Sequence, residues 1–205
     1  MAEKMQTAYR FDFVHDAQKV FRELLSALAN PGEKKSIEEQ AGRFEKGHPS
    51  LLALGCTLLD NEEGLYVEKN PALSAELHSL TLAREAGLCE ADYVFLSSEL
   101  NYGSMEQILK NVKYGTYADP QQSATIFLLC KSVDGAENMT ISGPGIKGEK
   151  VIQVCPYIKK VIRMREKLDI EYPLGVDLIF TDGAGNLLAI PRLVKIAEED
   201  ETWHM

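Results

Sequence analysis

No run of lysine and arginine occurs in this sequence, and 22 basic against 31 acidic residues leave a formal charge of −9 at pH 7. Binding a phosphate backbone needs a concentrated basic face, so the balance argues against nucleic acid as a partner. Long hydrophobic stretches are missing too. The longest, Ala124-Thr125-Ile126-Phe127-Leu128-Leu129-Cys130, is about a third of a membrane span. The first residues, Met1 to Gln6, carry charge where a secretory signal needs apolar side chains, so a cytoplasmic protein without a membrane partner is expected.

Metal-binding and nucleophilic patterns are equally sparse. Cys56, Cys89, Cys130 and Cys155 show no pair at the short spacing of zinc or redox motifs, and His15, His48, His78 and His204 have no partner histidine at helical spacing. No metal is expected. Cys56, Cys89 and Cys130 lie among apolar residues and read as reduced core thiols. Cys155 precedes Pro156, where a helix dipole could lower its pKa, but no histidine lies near it in sequence to act as a base. There is no GxSxG elbow, and no residue is assigned a catalytic role.

What is present is an ordinary folding composition: 205 residues, 45% hydrophobic and 26% charged, enough for one substantial core and hence one domain over residues 1–205. Ala17, Val20, Phe21, Leu24, Leu25 and Leu28 recur at helical spacing, which predicts a helix from Asp16 as N-cap to the stop at Pro31-Gly32. Helices are also expected over Pro49 to Leu59, Pro71 to Glu85, Ser104 to Lys113 and Pro156 to about Leu168. Strands are expected at Leu65–Glu68, Asp92–Leu96 and Met139–Ile141. Thr125–Leu129 is apolar on both faces and suits a central strand. Val176–Thr181 and Leu187–Ile190 flank a glycine-bearing loop, Asp182 to Asn186, and predict a closing hairpin. The alternation implies an α/β sheet layered between helices, with an antiparallel edge.

Gly143-Pro144-Gly145-Ile146-Lys147-Gly148 fits GxGxxG, yet Glu149 to Val154 looks extended, so no helix N-terminus follows to hold a pyrophosphate. A P-loop fails as well, because Glu149 stands where the phosphate-binding lysine belongs. Two charged residues stand out. Arg192 ends a strand with a guanidinium able to fork onto a carboxylate or phosphate, and Asp177 sits in an apolar strand where a buried carboxylate needs a partner, naturally an arginine. A structural ion pair and an anion contact are both open at this point, with Ser142, Gly143 and Gly145 as further contacts.

Several local sequences taken in order resemble the PhnH family. His15-Asp16-Ala17-Gln18 with Phe21-Arg22 and Pro31-Gly32 is similar to its opening, and Gly115-Thr116, Pro120 and Ser142-Gly143-Pro144-Gly145-Ile146 to its middle. Tyr172-Pro173-Leu174-Gly175-Val176-Asp177 with Leu188-Ala189-Ile190-Pro191-Arg192 is similar to its close. The likeness runs from about Phe13 to Arg192. Ser142 departs from an expected threonine, and Leu193 from a common hydroxyl residue.

The resemblance implies a three-layer α/β/α sandwich with a mixed sheet, similar to the large domain of pyridoxal-phosphate-dependent transferases but without that cofactor. It also implies a non-catalytic subunit of the carbon-phosphorus lyase core complex. That assembly contains PhnG, PhnI and PhnJ and forms alpha-D-ribose 1-methylphosphonate 5-triphosphate from ATP and methylphosphonate. A homodimer is implied for the isolated chain. The rival expectation is a stand-alone enzyme acting on a phosphorylated or nucleotide substrate.

Overall fold

The computed structural model describes residues 10–168 and 170–197. The charged residues 1–6, the acidic stretch 198–201 and His204 lie outside them. In chain order the elements are α1 (His15–Ala29), β1 (Lys34–Ser36), α2 (Glu38–Ala41), α3 (Pro49–Leu58), β2 (Gly64–Val67), α4 (Pro71–Thr81), β3 (Arg84–Glu85), β4 (Tyr93–Leu96) and α5 (Tyr102–Asn111). There follow β5 (Thr125–Cys130), β6 (Glu137–Ser142), β7 (Glu149–Val154), α6 (Pro156–Glu166), β8 (Asp177–Asp182), β9 (Asn186–Ile190) and β10 (Lys195–Ile196).

Seven strands form one sheet in the order β1-β9-β8-β5-β4-β2-β3. The five from β8 to β3 run parallel, while β9 is antiparallel to β8 and β1 antiparallel to β9. The fold is therefore α/β with a mixed sheet. β5 lies at its centre, in register with β8 from Thr125 opposite Asp177 to Cys130 opposite Asp182. Its side chains alternate between two cores: Ile126, Leu128 and Cys130 face one and Phe127 the other. This is why the strand reads as apolar on both sides.

The Phe127 face is covered by α1, α3 and α4, whose Val20, Leu24, Leu51, Leu54, Leu73 and Leu77 join Phe95 and Ile179. The opposite face is covered by α5 and α6, together with the small sheet β10-β6-β7. α3 is buried continuously from Ser50 to Cys56, which explains its lack of a polar face. The strand expected at Met139–Ile141 is longer than foreseen and belongs to this second sheet.

Four expectations need correction. Asp16 does not cap α1. Asp12 does, accepting from the N–H groups of Val14 (2.8 Å) and His15 (2.9 Å), while the Asp16 carboxylate accepts the Asp12 N–H at 3.0 Å. The apolar positions of α1 do not form one inward stripe either: Val20, Leu24 and Ala27 are buried, whereas Phe21 and Leu25 are about half exposed. α4 stops at Thr81 because Leu82 turns left-handed, freeing Arg84 and Glu85 to pair with β2 as an edge strand. Asp182 and Asn186 belong to the strands of the closing hairpin, and only Gly183, Ala184 and Gly185 connect them. The Asp182 carboxylate stabilises this tight turn by accepting from the N–H groups of Ala184 (3.0 Å) and Asn186 (3.1 Å).

Phe127 is fully buried, its ring stacked 4.8 Å from that of Phe95. Phe127→Ala will lower the unfolding free energy by about 3–5 kcal/mol. Val151→Ala, on the exposed face of β7, will change it by about 0.5 kcal/mol or less, both read from urea melts.

Candidate functional site

Most sequence-predicted residues converge at the end of the sheet where β8 begins and β9 finishes. The Asp177 carboxylate accepts the main-chain N–H of Arg192 at 2.8 Å. The Arg192 guanidinium points elsewhere: its Nη1 donates to the Ser123 hydroxyl at 2.7 Å and to the Pro120 carbonyl. The expected carboxylate–guanidinium pairing is thus replaced by two separate contacts. Asp177 is half-buried, and its hydrogen-bond donor is a backbone N–H and not the Arg192 guanidinium.

The glycines and prolines of this end make close approaches possible. Gly175, after the cis Tyr172–Pro173 bond, has φ +145, and a Cβ there would stand 3.0 Å from Arg192 Cβ. Its N–H donates to the Tyr114 carbonyl at 3.2 Å. Gly115 has φ +82 and packs on the Pro120 carbonyl that Arg192 also uses, while the Thr116 hydroxyl accepts the Asp119 N–H at 3.0 Å.

Nearby, Gly145 sits against the Ala29 carbonyl and Pro31, Gly143 against the Leu193 carbonyl, and Gly32 against Ile152. Ser142 ends β6, between Glu149 and Lys195. An open depression of about 320 Å³ results, walled by Ala29, Pro144, Gly145, Asp177, Pro191 and Arg192. The GxGxxG segment is the turn between β6 and β7, so a strand and not a helix follows it.

Asp16, Gln18, Phe21 and Arg22 lie apart from this cluster. Asp16 is buried, 3.7 Å from Arg43 Nε, while Gln18, Phe21 and Arg22 are on the outward side of α1.

Sequence reasoning missed Arg165, which holds the cluster from beneath. It is 5% exposed, and its Nη1 donates to the carbonyls of Ile190 (3.0 Å), Pro191 (3.1 Å) and Val176 (3.4 Å), while Nη2 donates to that of Val194. Burial pushes its pKa down to about 10, against the pull of the Glu166 and Asp177 carboxylates, so it remains protonated at neutral pH. One arginine among several on a basic helix gives no sequence signal of this role.

The opposite edge, at the C-terminal ends of the parallel strands, carries groups that spacing did not connect. Open α/β sheets bind ligands at this edge, where neighbouring connections diverge. β2 leads outward to α4 and β3, β4 inward to α5 and β5, and between them Asn70 Nδ2 lies 3.0 Å from both His48 Nε2 and Ser97 Oγ. Asn70 Oδ1 caps α4 through the Leu73 N–H, which fixes the amide orientation and makes His48 Nε2 an acceptor. Imidazole, amide and hydroxyl together offer hydrogen bonding to a polar ligand. Among the described residues no group of three or more His, Cys, Asp or Glu is arranged to hold a metal ion.

Two further expectations change. Cys89 is exposed and is not a core thiol. Lys159, Lys160, Arg163 and Lys167 of the α6 region line a second depression with Glu137, to which Lys159 donates at 3.1 Å, and Lys160 lies over the Tyr102 ring at 5.3 Å, so basic side chains do gather around α6.

Residues 9–197 match the family model described as bacterial phosphonate metabolism protein (PhnH). The chain belongs to the PhnH family. Two relatives align over almost their whole length. One, named "Putative C-P lyase subunit protein HtxG", from Stutzerimonas stutzeri, is 25% identical over 195 residues, covering 95% of this chain and 93% of the relative. The other, alpha-D-ribose 1-methylphosphonate 5-triphosphate synthase subunit PhnH of Rhizobium meliloti (strain 1021), is 25% identical over 194 residues, covering 92% and 94%. The PhnH resemblance read from the ordered motifs therefore holds across the chain.

Arg165→Met keeps much of the side-chain volume but removes the guanidinium from four carbonyls, of which that of Pro191 keeps the Val194 N–H. We expect a loss of about 2–4 kcal/mol in unfolding free energy, measured by chemical denaturation.

Proposed function

We propose that this chain is a non-catalytic subunit of a carbon-phosphorus lyase core complex and takes part in phosphonate catabolism. The assembly forms alpha-D-ribose 1-methylphosphonate 5-triphosphate from ATP and methylphosphonate in the cytoplasm, and this chain joins PhnG, PhnI and PhnJ in it. Isolated, it forms a homodimer. Residues 1–205 act as one domain, similar in layering to the large domain of pyridoxal-phosphate-dependent transferases and holding no such cofactor. The family match over residues 9–197 supports the pathway.

One observation carries the subunit role. On α1 the family positions Gln18, Phe21 and Arg22 turn outward, next to Leu25 at 53% and Val14 at 70% exposure. Apolar side chains gathered on an exposed helix face, rimmed by polar ones, are what a docking surface presents. By contrast, Arg192 and Asp177 are engaged in bonds within the chain.

The open depression beside Arg192 favours a second reading, an enzyme acting alone on a phosphorylated or nucleotide substrate. In that reading Arg192, Asp177, Ser142, Gly143 and Gly145 contact the anion. It requires Arg192 to exchange the Ser123 hydroxyl for phosphate oxygens.

Two measurements separate the readings. Deleting the gene will abolish growth on methylphosphonate as sole phosphorus source, and Phe21→Glu with Leu25→Glu will lose co-purification with PhnI while leaving the thermal melt unchanged. Saturable heat on titrating ATP or methylphosphonate into the isolated chain, absent in Arg192→Ala, will favour the enzyme instead.

A further inference from the structure

β10 pairs with β6 through Lys195 opposite Ser142 and Ile196 opposite Ile141. The pairing goes one residue further, since the Ala197 N–H donates to the Thr140 carbonyl at 2.9 Å. A residue within a strand directs its N–H and C=O to the same neighbour, and consecutive residues alternate sides. Thr140 faces β10, so Asn138, two residues earlier, turns its backbone groups to that side as well, while Met139 and Glu137 turn theirs to β7. The described part of β10 stops short of Asn138. An edge of β6 therefore continues in the direction in which the chain is heading.

That edge borders a basic groove. The depression of about 300 Å³ beside α6 is lined by Glu137 of β6 together with Lys159, Lys160, Arg163 and Lys167. α6 runs alongside the strands: Lys159 donates to the Glu137 carboxylate at 3.1 Å, and two turns later the Glu166 carboxylate accepts the Ile196 N–H. Among the described residues Lys160, Arg163 and Lys167 have no carboxylate at ion-pair distance. Beyond Ala197 the sequence reads Glu198-Glu199-Asp200-Glu201. Continued in the register of β10, Glu198 falls beside Met139, Glu199 beside Asn138 and Asp200 beside Glu137. Side chains alternate along a strand, and Ile196 packs on the core that α6 covers, so this register brings Glu198 and Asp200 to the α6 side.

We propose that residues 198–201 extend β10 along β6 and lay their carboxylates over the basic groove of α6, so that the chain covers its own docking surface for acidic segments. Asn138 then gains a backbone partner, and the cations of α6 gain counter-charges. Asp200 and Glu137 meet at the same level of the strand pair and share Lys159. A single exposed ion pair is weak, but the segment is tethered at the mouth of the groove, which gives it a high effective concentration there. A partner that brings its own carboxylates reaches the α6 cations by displacing the segment. The contact is made within one chain and does not depend on which complex that chain joins.

The test treats the full chain at low ionic strength with a carbodiimide, which joins touching carboxylates and amines as amides. The band that migrates as a single chain is digested with trypsin and mapped by mass. The C-terminal peptide, starting at Ile196, is expected joined to Lys159, Lys160 or Lys167, one water lighter than the sum, and the joining will fade at about 0.5 M salt. The Glu137–Lys159 pair reports that the chemistry has worked. A fluorescent hexaglutamate probe gives an independent reading. The variant Glu198→Gln with Glu199→Gln, Asp200→Asn and Glu201→Gln will bind the probe about tenfold more tightly than the native chain, because the competing segment is gone. Adding Lys160→Glu and Lys167→Glu will remove that gain. The proposal is overturned if the C-terminal peptide joins lysines away from α6, such as Lys46 or Lys110, if it joins only a second chain, or if the neutralised variant binds hexaglutamate no more tightly than the native chain.

Discussion

A guanidinium received by four main-chain carbonyls ties together the segments that carry the family motifs. Placing a cation in the interior is costly, and the cost is offset only where oriented dipoles replace its water shell. The carbonyls of Val176, Ile190, Pro191 and Val194 do so for Arg165. These groups sit just before β8, at the end of β9 and just before β10, so one side chain on α6 fixes where three strands start or stop. Asp177 and Arg192 are held in mutual reach as a result. The glycines at 143 and 175 then follow as the residues that allow the backbone to pass so close to the Leu193–Val194 turn and to Arg192.

Much of the layering was legible in the sequence because it depends on short-range pattern. β5 reads as a central strand since both of its faces meet helices, and α3 and α6 announce their starts with proline. What stayed hidden depends on partners distant along the chain. The two-residue edge strand β3 exists only because β2 offers unpaired groups beside it. Phe21 and Leu25 are spaced for burial yet remain outside, since the inward side of α1 is already filled by Val20, Leu24 and Ala27.

The site was legible in a similarly divided way. Proximity of Asp177 and Arg192 could be inferred from an anomalous carboxylate in an apolar strand, but the nature of the contact could not, because a backbone N–H leaves no mark on residue choice. The joining of His48 to Asn70 and Ser97 arises from where strands end and helices begin. That set has no spacing to recognise.

These facts place Asp177 and Arg192 at the opposite edge of the sheet from His48, Asn70 and Ser97. Asp177 lies at the N-terminal end of a parallel strand and Cys130 at the C-terminal end of its neighbour, separated by the full length of the β5–β8 pairing. Residues at the first edge are occupied in joining strands to one another, which suits a role in keeping a surface rigid. A rigid surface lowers the entropy lost on docking, so the subunit reading asks of this edge only what its bonds already supply. Charge adds direction: a chain of net −9 with basic side chains collected around α6 presents an uneven field, and such a field orients an approaching partner before any contact forms.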